Sequence, residues 1–355
     1  MDGRFVKDGD AAGLTARGDL GVEEAGAIRC LACGHRCLLP EGGRGRCGMR
    51  GNRDGELRVP FGYVSGAQCD PVEKKPFYHV RPGALAFSYG TLGCNFRCGY
   101  CQNWEISQAP HGRGEAWARV ARVEPGELVA AARNHGAELV VSTYNEPLVA
   151  GEWNEAVFRR AREAGFLTGY VSNGYATQEA LARLLPLVDL FKVDLKTFDE
   201  GGYRRLGGSL APVLETIRGL HRAGVWVEVV TLIVPGFNDA EEGLAPLAEF
   251  VASVSPDIPW HVTAFHRDYR MGTARDAAPE DLLRAARLGA RAGLRFVYAG
   301  NLPGRTGGWE DTRCPGCGMT LVRRRGFHVE ADLLERRPHG VAACPGCGVE
   351  VPGRW

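Results

Sequence analysis

Three cysteines fall within eight residues at Cys94, Cys98 and Cys101, directly after an apolar run over 84–93 that reads as a buried strand. No other stretch restricts the fold as much. A CxxxCxxC loop is tight enough to converge three thiolates, and thiolates suit iron, so the loop can wrap three corners of an iron–sulfur cube. A cube has four irons. The fourth is left open for a bound molecule, much as a catalytic zinc site keeps a position that a structural site closes. Zinc ligands or ordinary thiols would use the same residue type. The spacing, the preceding strand and the aromatic Tyr100 just before the last cysteine favour the cluster.

At 355 residues the chain can bury a full core and exceeds one average domain, so one large domain with small appendages is expected. Its 43 basic and 42 acidic residues are well mixed and leave a net charge of +1, which gives no bulk pull toward nucleic acid or membrane. No segment approaches the length of an apolar membrane span, and the polar start lacks the apolar core of a signal peptide, so a cytoplasmic protein is expected. Eleven of the twelve cysteines fall in three sets with metal-ligand spacing. Metals are therefore a better reading than disulfides, and Cys69 is an isolated thiol.

The domain expectation runs as follows: a mobile arm over 1–28, a four-cysteine module and link over 29–83, a large α/β domain over 84–300, and a second cysteine module over 301–355. Cys30, Cys33, Cys37 and Cys47 can close a tetrahedral zinc site or hold a second 4Fe–4S cluster with no open iron. From position 84, strand-like runs at 84–92, 138–143, 167–172, 188–195, 225–234, 259–265 and 294–299 alternate with amphipathic helical stretches. Such alternation indicates a parallel sheet of βαβ units, and the number of repeats fits a partial (β/α)6-type TIM barrel better than the closed eightfold form. The active site belongs at the C-terminal ends of these strands, where the cysteine loop already lies.

Later strand ends carry polar groups. The second ends in Thr143, Tyr144, Asn145, Glu146 and Pro147, where a carboxylate and an amide could accept from an ammonium group. The third ends in Ser172, Asn173 and Gly174. In the fourth, period-two alternation puts Lys192, Asp194 and Lys196 on one face, charges that a central strand tolerates when they pair or bind something. A structural ion pair is the alternative there. Glu228, His261 and His266 are further polar candidates, with a hydrogen-bonded core role the commoner fate of such histidines. Near the end, Cys314, Cys317, Cys344 and Cys347 form two CPxCG knuckles suited to a four-thiolate metal, with zinc expected and a rubredoxin-like iron the alternative.

These residues together resemble the radical S-adenosylmethionine (SAM) enzymes of the AmmeMemoRadiSam system, relatives of the pyruvate formate-lyase activating enzymes. The resemblance runs from about Cys30 to Trp355 and includes the N-terminal knuckle, 70–78, 93–108 with Asn103, Trp104 and Glu105, 144–147, 193–196, 260–269, 298–301 and both C-terminal knuckles. It implies that Cys94, Cys98 and Cys101 bind a 4Fe–4S cluster whose open iron chelates the amino and carboxylate groups of SAM. Tyr144, Asn145 and Glu146 stand where relatives have a Gly-Gly-Glu-Pro segment that holds the SAM amino group. Tyr100, Ser172, Asn173, Asp194 and Lys196 are carried over as cofactor-pocket residues. The implied activity is reductive cleavage of SAM to a 5'-deoxyadenosyl radical that abstracts hydrogen from a substrate. Memo-type and AMMECR-type proteins, another protein substrate, and a flavodoxin or ferredoxin reductant are the implied partners. A module with closed clusters, serving interaction or electron transfer without SAM, is the competing class.

Overall fold

A computed structural model describes residues 13–112 and 120–355. The chain divides into two units, the first built from residues up to Cys69, Ala86–Phe191 and Arg204–Val225, the second from Asp70–Leu85, Lys192–Tyr203 and Trp226–Trp355.

In the first unit three strands, β1 (Leu85–Gly90), β2 (Leu139–Ser142) and β3 (Leu167–Ser172), run parallel with β2 in the middle. Leu139 faces Ala86 on one side and Leu167 on the other. Leu139, Val140 and Val141 are fully buried, as expected of a parallel strand covered on both faces. Helices α1 (Pro125–Asn134) and α2 (Gly151–Glu163) make the crossovers. Along α2, Trp153, Val157, Phe158 and Ala161 recur at helical spacing and are buried. The helix stops before Gly165, whose φ of +87° suits glycine. Helix α3 (Gln178–Leu184) begins at Thr177, whose hydroxyl accepts from the Ala180 N–H at 3.1 Å.

The cysteine-bearing start of this unit is antiparallel. Strands at Gly21–Glu24, Ala27–Cys30 and Leu38–Leu39 pair in one small sheet. Those at Thr15–Arg17, Gly51–Arg53 and Glu56–Pro60 pair in another. Leu20, Ile28, Leu39, Leu57 and Val59 share one apolar cluster with Ala180 of α3. Residues 15–24 were expected to belong to a mobile arm and instead carry strands, because Leu14 and Leu20 are buried anchors at either side of the turn. The rest of that arm, 1–12, lies outside the described residues.

The chain passes from the first unit to the second along β4 (Leu190–Asp194). In the second unit β5 (Trp226–Ile233), β6 (Trp260–Ala264) and β7 (Val297–Gly300) run parallel, with Val229 opposite Trp260 and Trp260 opposite Val297. Two helices, α4 (Glu241–Val254) and α5 (Pro279–Arg291), link them. On α5 a proline opens the first turn and Asp281 accepts from the Ala278 N–H at 3.0 Å. Gly289 lies so close to Trp260 that a Cβ would meet the indole at 2.7 Å. After β7 come antiparallel strands, including Thr320–Arg325 with His328–Asp332 and Val341–Ala343 with Glu350–Val351. Leu321, Val322, Leu334, Ala342 and Val351 form their core with Phe296 and Tyr298.

The fold is therefore α/β, with parallel strands in chain order within each unit and a cysteine cluster at the C-terminal end, as the alternation of strands and helices indicates. A helix at Glu200–Leu206 was not foreseen. Gly201 and Gly202 depress its propensity, but the Asp199 carboxylate accepts from the Gly202 N–H at 2.5 Å and starts it. Among the described residues no helix is long and apolar enough to cross a membrane.

Candidate active site and metal centres

The cysteine loop follows β1 through a turn over 91–93. Gly93 has a φ of +90°, and a Cβ there would meet the Cys47 carbonyl at 2.9 Å, so the backbone can pass only as glycine. Asn145, just past β2, fixes this turn. Its Nδ2 donates to Gly93 O at 2.9 Å, Thr91 Oγ1 at 3.0 Å and Leu92 O at 3.2 Å, and its Oδ1 accepts from Thr91 N at 3.0 Å. The amide expected in the cofactor pocket thus braces the loop that bears the cysteines. Tyr144 has a φ of +72° and its hydroxyl meets Ser88 Oγ at 2.8 Å. That backbone conformation favours glycine.

Glu146 is 2% exposed. Its Oε1 accepts from Ser172 Oγ at 2.7 Å and from Leu148 N at 3.1 Å, and its Oε2 accepts from Asn173 N at 2.8 Å. Ser172 ends β3, so the carboxylate after β2 is held by the end of its neighbour in the sheet. Asn173 in turn donates through Nδ2 to Asn95 Oδ1 at 2.6 Å and lies 4.0 Å from Cys94 Sγ. Glu146, Ser172, Asn173, Asn95 and Cys94 form one connected polar group. Tyr100 is buried on the same loop. Burial pushes the Cys94 thiol well up, and the charges of Glu146, Cys98 and Cys101 push the same way.

Cys30, Cys33, Cys37 and Cys47 line a single cavity together with Arg50 and His35. Arg50 is buried and forms a two-pronged ion pair with Glu152 of α2, at 2.6 and 2.8 Å. Burial lowers its pKa, but the Glu152 carboxylate and the Cys30 thiol together raise it above its ordinary value. His35 Nε2 bonds to the Asn95 carbonyl at 2.9 Å, which ties the knuckle to the 94–101 loop.

In the second unit Asp194 is half-buried and bonds to Lys192 and, at 3.4 Å, to Lys196. Burial pushes its carboxyl up, but the two ammonium groups outweigh that and hold it below the ordinary carboxylate range. Glu228 is wholly buried and accepts from the N–H groups of Tyr78 (3.0 Å) and His79 (2.9 Å), from Trp226 Nε1 (3.0 Å) and from His261 Nε2 (2.6 Å). Burial lowers the pKa of His261 even beside that carboxylate, so the pair is a neutral imidazole on an ionised acid. His261 is a core residue, and His266 is exposed.

The C-terminal knuckles converge. All four sulfurs lie within 4.8 Å of one another, with Cys314 to Cys347 at 3.5 Å and Cys317 to Cys344 at 3.6 Å. Burial alone would raise the Cys314 thiol, but the N–H groups of Cys317 and Gly316 and the facing thiols bring it down to about 7, while Cys347, although the Val349 N–H lowers it, is pushed up to about 12 by its hydrogen bond to Cys314. Four sulfurs this close, sharing protons between facing pairs, suit a metal that displaces those protons.

Residues 88–249 match the radical SAM superfamily. An uncharacterized protein of Methanocaldococcus jannaschii is 36% identical over 329 residues, covering 91% of this chain and 95% of that one. The chain carries a radical SAM superfamily domain. A pyruvate formate-lyase-activating enzyme of Staphylococcus aureus is 28% identical over 240 residues, 62% of this chain and 92% of its own length. A radical SAM methyltransferase structure from Sphaerobacter thermophilus is 14% identical, covers 81% of this chain and 76% of that one, and superposes with a TM-score of 0.48.

A radical SAM domain implies an enzyme with a 4Fe–4S cluster and SAM, and the loop fits that cluster. Asn95 Nδ2 is buried with no hydrogen-bond acceptor, and the same amide has its Oδ1 3.8 Å from Cys94 Sγ, so cluster sulfur bound there would offer the missing acceptor. Burial has raised the Cys94 thiol, and iron supplies the positive charge that turns such a group into a thiolate. The C-terminal four could hold one metal ion. Asn95, Arg50 and Glu152 went unassigned in the sequence. Asn95 could have been found as the one amide inside the CxxxCxxC loop, whereas Arg50 and Glu152 meet across 102 positions with no local signal.

Proposed function

We propose that this enzyme cleaves SAM reductively at the loop of Cys94, Cys98 and Cys101, and that the resulting 5'-deoxyadenosyl radical takes a hydrogen atom from a substrate. Glu146 carries this reading. It is a buried carboxylate at a strand end, and Asn173, which binds it, also reaches Cys94. An acceptor for the SAM ammonium group therefore stands one side chain away from an iron ligand.

When bound, a 4Fe–4S cluster with one open iron supplies the electron that breaks the sulfonium bond. The chain's own residues do the rest. Asn145 holds the loop entrance, Ser172 and the Asn173 N–H orient the Glu146 carboxylate, and the burial of this group keeps water from a reactive radical. Zinc is proposed for the C-terminal knuckles.

Kinship with an activating enzyme favours a protein as substrate, and the motif combination favours the AmmeMemoRadiSam system, with Memo-type and AMMECR-type proteins as partners and a flavodoxin or ferredoxin as reductant. Co-purification with a Memo-type protein supports that assignment, and a protein that elutes alone from such a mixture removes it.

The test of the chemistry is anaerobic. Iron–sulfur centres are reconstituted, reduced with dithionite and given SAM, and 5'-deoxyadenosine is sought by chromatography beside the electron paramagnetic resonance spectrum. Formation of 5'-deoxyadenosine and a spectral shift on adding SAM are expected. Neither, in protein with full iron content, would leave a closed-cluster module as the better description.

A further inference from the structure

The cysteine sets differ in how their sulfurs sit. The C-terminal sulfurs, at 3.5–3.6 Å for the two closest pairs, approach the edge of about 3.8 Å that a tetrahedron of 2.3 Å zinc–sulfur bonds requires. Among the described residues this is the only group of three or more such ligands found within 4.8 Å of one another. The N-terminal four are arranged otherwise. They face one shared cavity without closing to single-ion distance, which is the geometry of thiols set around a cluster of several metals.

One buried donor at this cavity lacks an acceptor. Arg50 binds Glu152 through both terminal nitrogens, yet its Nε is buried with no hydrogen-bond partner, and its charge acts on the Cys30 and Cys47 thiols. A zinc ion offers this donor only the four ligand thiolates, whereas an iron–sulfur cluster adds sulfides of its own inside the cavity. Asn95 connects two cysteine sets. Its carbonyl meets Nε2 of His35, which lines the cavity beside Cys33 and Cys37, at 2.9 Å, and its Oδ1 is 3.8 Å from Cys94 Sγ.

We propose that Cys30, Cys33, Cys37 and Cys47 hold a second iron–sulfur cluster, which passes electrons across Asn95 to the 94–101 loop. A one-electron donor of low potential gives up one electron, the second cluster takes it up and hands it on, and the loop site receives it. Cys33 and Cys37 are only partly buried, so a donor can approach from that side. The relay rests on the proposed SAM chemistry, and the cluster itself does not.

The test uses the full chain, reconstituted anaerobically with ferrous iron and sulfide, as wild type, as the loop variant Cys94→Ala/Cys98→Ala/Cys101→Ala, and as Cys33→Ala/Cys37→Ala. Iron, acid-labile sulfide and zinc are counted, and paramagnetic resonance spectra are recorded after dithionite reduction. The loop variant is expected to keep iron and sulfide in equal number, with a signal that SAM does not shift. The N-terminal variant is expected to keep only the SAM-responsive signal. The wild-type spectrum is expected to be broader than the sum of the two, because paramagnets on either side of one asparagine couple. A loop variant with no iron and a second zinc per chain overturns the cluster, and a wild-type spectrum equal to the sum overturns the relay. Should the loop variant not fold, the wild type decides: iron well above about four per chain supports the second cluster, and about four with a second zinc overturns it. Excess iron with no response to SAM would sink the loop assignment and the relay while leaving the second cluster standing.

Discussion

At the scale of single residues, the site depends on carbonyl-rich side chains that sit past strand ends with their valences filled. Glu146 accepts from Ser172, Leu148 and Asn173. Glu146→Gln turns one of these acceptors into a donor and leaves a buried N–H or O–H unmatched, at a cost of about 1–3 kcal/mol. On the proposed function it also removes the charge that would meet the SAM ammonium. A loss of SAM affinity of about tenfold or more is expected, read by titrating SAM against the spectrum of reduced, iron-loaded protein; an unchanged affinity would take Glu146 out of the pocket. Asn145→Ala removes four hydrogen bonds from the 91–93 turn. It should destabilise the first unit by about 2 kcal/mol or more and lower iron retention at the loop, with SAM affinity per bound cluster nearly unchanged. A variant with full iron and wild-type stability would contradict the bracing role. The sequence showed that Glu146 and Asn145 lie past a strand end, but not which way each turns. That depends on Thr91 to Gly93 and on Ser172, which come from other strands.

At the scale of elements, the parallel strands and their helices were legible because burial imposes a period. Leu139 to Val141 are apolar without interruption, and Trp153, Val157, Phe158 and Ala161 repeat as a helix face must. The Glu200–Leu206 helix was not legible, since it depends on the Asp199 side chain and not on its own composition. The strands at 15–24 were hidden because their apolar partners, Ile28, Leu57 and Val59, lie later in the chain. The C-terminal knuckles belong to the legible part, as CPxCG carries its geometry locally. Their metal should stabilise the strands Val341–Ala343 and Glu350–Val351, which are short and lie beside Cys344 and Cys347. Cys317 and Cys347 are exposed, so a strong chelator can reach the ion. Chelation should release one metal ion per chain and raise amide hydrogen exchange over 341–351, while β5 to β7 keep their protection. Equal protection before and after metal release would show that these strands hold without it.

At the scale of the whole molecule, near-neutral net charge gives no general electrostatic term, so the dependence of stability on pH comes from a few buried groups. His79 is the clearest. It is fully buried, with its ring against Phe296 and Trp226, Nε2 on the Tyr298 hydroxyl at 2.6 Å and Nδ1 on the Pro352 carbonyl at 2.7 Å. Burial lowers its pKa to about 4, although the Glu228 carboxylate pulls the other way. In the unfolded chain the imidazole returns to about 6.5. Between those values the unfolded state binds a proton that the folded state refuses, so stability falls as pH drops through the window. For His79 alone the loss from pH 8 to pH 5 is about 2 kcal/mol. Glu228, held below its ordinary range, adds in the same direction below about pH 4.5, where its unfolded form takes up protons. Denaturant unfolding followed by tryptophan emission reports this, because Trp226 and Trp355 stack near His79. The midpoint should fall steadily from pH 8 to pH 5. His79→Gln, which cannot take up a proton, should lower stability at pH 8 and reduce the slope above pH 5, the remainder coming from His261, whose pKa burial also lowers. A slope unchanged by the substitution would place the titrating group elsewhere.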